Sequence, residues 1–313
     1  MKHSTYFFVL SIIMMGTLFA SCDSTPKKTP DYVVPIYCDE DFEPIISTEA
    51  EVFEALNAPK GVIPCYSDEV TAVKMLLNDS VRLIVTSRRL TNSEKKMLLD
   101  TKKLVVREVL IAYDGIAIIV NKSNPDSLIT VDNLKKIFMG QITDWNQLNP
   151  NSKLGKIQTV FNHPSSGTVQ YVKDSICEGN ALSSDLRALK TNKDVLEHVI
   201  ATPNALGIIG VGWISNEKDS LQLSFSEKVS VMGITTASFP TNSNVSRPYP
   251  YSLKLRSYPF IREVYIVHTD PSLNTEFYFA NFVAGERGQR IILKSGLLPA
   301  TQVTRLVERK DHF

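Results

Sequence analysis

Short apolar runs bounded by polar residues alternate along the chain with stretches in which apolar side chains recur every three or four positions. The first pattern predicts buried strands and the second amphipathic helices. Strands are expected over 33–38, 61–65 and 81–86, and helices over 42–56, 68–77 and 93–100, the last capped by Ser93. The run 81–86 is mostly apolar between polar neighbours, as in a strand covered on both faces. This β-α-β-α-β order predicts a doubly wound α/β lobe. Such sheets bind ligands beyond the carboxyl ends of their strands, where loops feed helix starts.

A second region opens at Leu110. Gly115-Ile116-Ala117-Ile118-Ile119-Val120 is a fully apolar strand, broken by Asn124-Pro125. Residues 130–138 form a capped amphipathic pattern ending at Gly140, with Thr143-Asp144-Trp145 in the turn that follows. Further strands are expected over 156–160, 207–210 and 264–267, and helices over 169–176, 193–200, 274–284 and 288–293. Gly296-Leu297-Leu298-Pro299 stops the last helix, and the Ser- and Pro-rich run 239–251 reads as a long loop.

Between the strand over 156–160 and the helix over 169–176 lies Phe161-Asn162-His163-Pro164-Ser165-Ser166-Gly167-Thr168. Serine, glycine and threonine at a helix start offer free N–H groups, hydroxyls and the positive end of the helix dipole, a seat for a tetrahedral oxyanion. The same residues also serve as a plain N-cap. The motif by itself leaves both readings open.

The N-terminus predicts a compartment. Lys2 and His3 precede an apolar run over 6–18, and Leu18-Phe19-Ala20-Ser21-Cys22 closes it with small residues before a cysteine. That order is a signal peptide over residues 1–22, too short in its apolar part for a comfortable membrane span. Its end resembles the bacterial lipobox, with Phe19 unusual at its position and Cys22 as the lipidated residue; an uncleaved anchor is the alternative. Residues 23–32 read as a tether. The expected location is extracytoplasmic, on a bacterial membrane in the periplasm or at the cell surface.

Roughly 290 residues follow Cys22, enough for two lobes. Lys and Arg number 34 against 33 Asp and Glu, so nucleic acid is not an implied partner and an anion must be held by local placement of dipoles and a few charges. Cys38, Cys65 and Cys177 match no zinc spacing. Cys38 and Cys65 fall at ends of expected strands, as a disulfide or as free thiols. The five histidines are scattered with no pair at i, i+4, so neither a metal nor another cofactor is expected. Nor is catalysis: no Gly-x-Ser-x-Gly elbow is present, and His163 is not placed by sequence to serve Ser166 as a base.

Several segments together resemble the phosphate-binding proteins of bacterial ABC transporters, a branch of the type II periplasmic-binding fold. They are Asp114-Gly115-Ile116-Ala117-Ile118-Ile119-Val120-Asn121, Leu134-Lys135-Lys136-Ile137-Phe138-Met139-Gly140 with Thr143-Asp144-Trp145, Ser166-Gly167-Thr168, and Gly207-Ile208-Ile209-Gly210. Tyr258-Pro259-Phe260 with Tyr265-Ile266-Val267, and Gly288-Gln289 with Gly296-Leu297-Leu298-Pro299, complete the set in family order. The resemblance implies an α/β fold of two lobes joined by two crossover strands near Val120 and Ile266. One lobe would be residues 33–119 with 267–313, the other residues 120–266, closing by a hinge over an oxyanion. It implies a monomer that binds inorganic phosphate and delivers it to an ABC permease.

Carried over by those motifs, Ser166, Gly167 and Thr168 donate from the middle lobe, with Ser165 beside them. Ser67 and Phe42 fall where the family uses a hydroxyl and a helix-start N–H, and Asp41 where it has a hydroxyl residue. Two positions depart. Asn162 stands where the family has a phosphate-pairing arginine, and Arg88, directly after Ser87, where it has an aspartate that accepts the ligand's proton. A charge swap across the cleft would reconcile them, with Arg88 as the cation and Asp41, or Asp39 or Glu40, as the acceptor. The plainer alternative makes the acids dipole partners of a helix start and Arg88 a solvated loop residue. Other readings are a lipoprotein that binds a different oxyanion or small ligand for sensing or adhesion, and a phosphoester hydrolase. Trp145, Trp213 and Tyr249, Tyr251, Tyr258 and Tyr265 would line a sugar or peptide cleft, or simply pack.

Overall fold

The computed structural model describes residues 32–216, 224–269 and 273–301; the expected signal peptide, Cys22 and nearly all of the tether lie outside them. Among the described residues, three parallel strands, β1 (Tyr32–Asp39), β2 (Lys60–Ser67) and β3 (Leu83–Thr86), come first, in the order β2-β1-β3. Between them run α1 (Glu43–Asn57) and α2 (Glu69–Leu77), with α3 (Asn92–Lys102) after β3. The 3-10 turn Glu40–Phe42 joins β1 to α1. The cap of α3 is Thr91 rather than Ser93. Its hydroxyl accepts from the Glu94 N–H, and the Glu94 carboxylate accepts from the Thr91 N–H, a reciprocal box that uses both orphan groups.

The long strand β4 (Arg107–Asn121) carries the sheet into the second half of the molecule. There follow β5 (Leu128–Thr130), α4 (Val131–Phe138), β6 (Gln158–Phe161), α5 (Gly167–Tyr171), β7 (Arg187–Ala188), α6 (Asn192–Ala201) and β8 (Ala205–Gly210). After these come β9 (Val229–Val231), β10 (Gly233–Thr235), α7 (Pro250–Lys254), β11 (Ile261–His268), α8 (Thr275–Ala284), α9 (Glu286–Lys294) and β12 (Leu298–Pro299). Strand order along the main path is β2-β1-β3-β11-β4-β8-β6-β7, with β9 and β12 also pairing β4, and β10 pairs β5 in a separate ribbon. The short strands β5, β7, β9, β10 and β12 had no sequence signal, because two or three residues cannot display a period. The expected helix over 169–176 starts at Gly167 and widens into a π-helical turn at Val172–Ile176.

β4 exchanges partners part-way along. It pairs with β11 up to Gly115, where Ile261 lies opposite, and with β8 from Ile116 onward. Val120 and Ile266, the expected crossover positions, lie inside β4 and β11 on either side of that exchange. Arg262 sits opposite Asp114 in the β11–β4 register, one residue from it.

The largest apolar cluster, from Ile36 and Phe53 to Val160, Val195 and Ile209, runs through both halves. Around α1 and α8, Phe53 meets Phe279 edge-on with ring centroids 5.3 Å apart. In the other half Phe138, Trp145 and Tyr258 are fully buried, and the Trp145 indole donates to the Asn204 carbonyl at 3.0 Å. Cys38, Cys65 and Cys177 are free thiols. Cys65 pairs with Tyr37 and Cys38 with Tyr66, so the two thiols on β1 and β2 lie on opposite faces of the sheet. Among the described residues no helix is long and apolar enough to cross a membrane.

One core position runs against the pattern. Glu49, on α1, is completely buried, and neither carboxyl oxygen has a hydrogen-bond partner. Burial pushes its carboxyl up to about 8, so the folded protein holds that proton where the unfolded chain has shed it. Stability contributed by this proton is complete below about pH 4.5 and declines as pH rises to 8, a loss on the order of 3–5 kcal/mol. Thermal unfolding of Glu49→Gln between pH 5 and pH 8 is expected to show a midpoint less sensitive to pH than the wild type's. Equal slopes would refute the assignment.

Candidate functional site

The carboxyl ends of β1 and β3 and the start of α2 face the starts of α5 and α6 from the other half of the molecule. Ser166 caps α5: its hydroxyl accepts from the Val169 N–H and donates to Asn162 Oδ1 at 2.7 Å. That leaves the N–H groups of Gly167 and Thr168 pointing outward from the helix start. The N-cap reading of this motif thus holds for Ser166, while Gly167 and Thr168 donate elsewhere.

What these groups hold is the acidic turn after β1. Asp39 Oδ2 accepts from the Gly167 N–H at 2.9 Å. Asp41 Oδ2 accepts from the Thr168 N–H at 3.0 Å, the Thr168 hydroxyl at 2.6 Å and Arg262 Nη1 at 2.8 Å. Asp41 Oδ1 accepts from Asn162 Nδ2 and Asn192 Nδ2, each at 2.8 Å. Five donors therefore converge on the Asp41 carboxylate. Glu40 does the same at the start of α6, where its carboxylate accepts from the Asn192 N–H at 2.9 Å and Asn192 Nδ2 at 2.6 Å.

Arg262 is the cation of the site, and the sequence reading missed it. Its guanidinium forks, with Nη1 on Asp41 and Nε and Nη2 on Asp114 Oδ2 at 3.0 and 2.8 Å. It stacks over the Phe42 ring at 5.0 Å. Burial by itself would lower its basicity, but Asp41, Asp114 and Asp39 more than reverse that and keep it charged.

The acids respond differently to the same arginine. Burial pushes Asp41 up, yet Arg262 and the hydrogen bonds from Thr168 and Asn192 outweigh it and hold its carboxyl below the ordinary value. Asp114, buried with fewer donors, is raised despite Arg262. Asp39 is raised well above its ordinary value by burial and then by the charges of Asp41 and Glu69. Burial brings Glu40 up to about 7. Asp41 is therefore the carboxylate whose ionised form these donors favour, while burial and the neighbouring charges oppose ionisation of Asp39.

The remaining expected residues divide. Ser87 is at the site, where its N–H and hydroxyl donate to Glu69 Oε1 at 2.6 and 2.7 Å. A Cβ on Gly167 would come within 2.5 Å of the Ser87 hydroxyl and 2.6 Å of Asp39 Oδ2, so this close approach requires glycine. Ser67 donates to the neighbouring Asp68 carbonyl, and Ser165 gives its N–H to His163 Nδ1 on the exposed side. Phe42 contributes its ring beneath Arg262. Arg88 is not brought to the turn: both its terminal nitrogens pair with Glu94 at 2.9 Å. The cation of the expected charge swap is thus supplied by β11 instead. Trp213 donates its indole N–H to the Asp41 carbonyl at 3.1 Å, while Trp145 is buried elsewhere with its indole on the Asn204 carbonyl.

Asn192 and Arg262 are the residues that sequence reasoning did not find. Arg262 lies at the head of an apolar strand run, where a charge needs a buried partner, and Asp114 precedes the matching run; that pairing was the available signal. Replacing Arg262 by Gln would leave Asp41 and Asp114 buried without a counter-charge. Denaturant unfolding should show a loss of about 3–5 kcal/mol. Arg88→Ala, which opens a half-exposed pair, should cost less than about 1 kcal/mol. Similar losses for both would contradict this assignment.

A family model described as a PBP superfamily domain matches residues 24–285. The phosphate-binding protein PstS of Borreliella burgdorferi is 23% identical over 303 residues, covering 93% of this chain and 97% of its own length. The protein of the same name from Staphylococcus saprophyticus is 25% identical over 242 residues, covering 77% and 71%. Among solved structures, a Clostridium perfringens protein with bound phosphate superposes with a TM-score of 0.72 at 23% identity, over 86% of this chain and 100% of that one. An ABC-type phosphate transport receptor from Vibrio cholerae gives 0.61 at 22% identity, over 85% and 99%. These likenesses show the fold, two α/β halves joined through β4 and β11, and the family match spans most of the sequence: the chain belongs to the PBP superfamily.

Proposed function

We propose that this protein captures inorganic phosphate between its two lobes outside the cytoplasm and delivers it to an ABC permease. The observation that carries the reading is the convergence of five donors, one of them a guanidinium, on a single carboxylate at a helix start. Carboxylate and phosphate present the same acceptor oxygens, and charge-assisted bonds of this kind are the strong ones. The relatives named as phosphate-binding proteins lend the substrate.

In this reading Gly167, Thr168, Asn162, Asn192 and Arg262 bind the anion, with Ser166 and Ser165 shaping the turn. Ser87, Asp39 and Asp41 face it from the other lobe. Asp39, beside the Gly167 N–H, supplies the acceptor that a protonated phosphate needs and sulfate cannot use. Arg262 takes the role that the family resemblance gave to position 162. The hinge is proposed where β4 exchanges partners at Gly115 and β11 begins at Ile261. Cys22 is proposed as the lipid anchor, on a monomeric protein held at a bacterial membrane.

Binding rather than turnover is favoured by the hydroxyl itself. Ser166 gives its proton to Asn162, and His163 Nδ1 accepts from the Ser165 N–H, so no base is poised on Ser166. Calorimetric titration of the soluble protein with phosphate is expected to show saturable binding of one anion, with no heat from sulfate. Thr168→Val, which removes one charge-assisted bond, should weaken it about tenfold or more. Absence of phosphate binding, or binding indifferent to Thr168→Val, would sink the reading.

A further inference from the structure

The acidic turn does more than approach the second lobe. Its three successive carboxylates take the donors of two helix starts: Asp39 the Gly167 N–H, Asp41 the Thr168 N–H and hydroxyl, and Glu40 the Asn192 N–H. Asn162 and Asn192 each donate to both Glu40 and Asp41, tying the two positions together. The turn is fixed from behind by the Trp213 indole on the Asp41 carbonyl. All of these residues except Glu40 and Trp213 are essentially enclosed.

We propose that Asp41 is a tethered competitor for the oxyanion seat: phosphate must displace a carboxylate that the protein itself supplies. The proposal rests on the phosphate reading above. Thr168, Asn162, Asn192 and Arg262 cannot give the same hydrogens to two anions. An ionised Asp41 left beside a phosphate would add a second negative charge next to one guanidinium in a site closed to water. Ligand entry therefore withdraws Asp41 with its lobe, while Asp114 keeps Arg262 in place through the two bonds from Nε and Nη2.

Two properties follow. A group held on the same chain presents an effective concentration in the millimolar range or above, so it lowers apparent affinity without any change in the seat's own contacts. It also selects its rival. A simple carboxylate offers nothing that Asp41 does not, whereas phosphate brings further acceptor oxygens and more charge. Acetate should fail where phosphate succeeds.

The test is phosphate affinity of Asp41→Ala beside the wild type, by calorimetry at one pH. The expected result is at least tenfold tighter binding in Asp41→Ala, with acetate now binding measurably. Trp213→Phe, which loosens the turn without touching the seat, should tighten binding several-fold and serves if Asp41→Ala does not fold. Unchanged or weaker binding in the folded variant, beside a wild type that does bind, would overturn the competitor and make Asp41 a partner of the ligand. If no protein binds phosphate, the phosphate reading fails. Amide exchange then decides the tether: faster exchange at Thr168 in Asp41→Ala upholds it, and equal exchange ends it.

Discussion

A guanidinium buried between two carboxylates, at the place where the chain passes from one half of the sheet to the other, organises this molecule. Arg262 and Asp114 face each other across the β11–β4 pair beside the exchange of partners, and Asp41 reaches the same guanidinium from the turn after β1. Burying such a group costs several kcal/mol unless every donor is used, and most of its donors are. The arrangement is thus weak evidence for added stability. It is strong evidence for a fixed geometry, since the cation can leave neither partner cheaply.

From that constraint the rest of the site follows. With Arg262 anchored by Asp114, the Nη1 edge of its fork meets Asp41 where the start of α5 also aims Thr168. The tight approach at Gly167 and the Ser166–Asn162 cap make this arrangement rigid on one side. On the other side the acids are held by contacts that separation of the two halves would break. Gly167, Thr168 and Arg262 thus spend their hydrogen bonds on the acids of the turn. Depressed Asp41 beside raised Asp39 reflects the donors on the one and the burial and neighbouring charges on the other.

Much of the fold was legible in the sequence because most long elements carry a full period. β1 to β3, α1 to α3 and the apolar centre of β4 needed only the alternation of runs and caps. The turn 165–168 was legible too, since serine, glycine and threonine between a strand and a helix mark a helix start with its free donors. Arg262 was not, because a single charge at the edge of an apolar run reads as a strand end until its partner across the sheet is known. Arg88 was offered as the cation on sequence adjacency to Ser87, but Glu94, one turn into the next helix, claims it. Asp41 was expected as a proton acceptor in the cleft; that its carboxylate takes the donors of the turn depends on distances that no linear pattern encodes.

The most direct measurement is a crystal structure of the protein grown with millimolar phosphate. Phosphate is expected on the Thr168 N–H and hydroxyl, the Asn162 and Asn192 amides and Arg262, with the Asp41 carboxylate moved off Thr168 and Arg262 still paired with Asp114. Phosphate bound elsewhere, with Asp41 still seated on Thr168 and Arg262, would contradict the account.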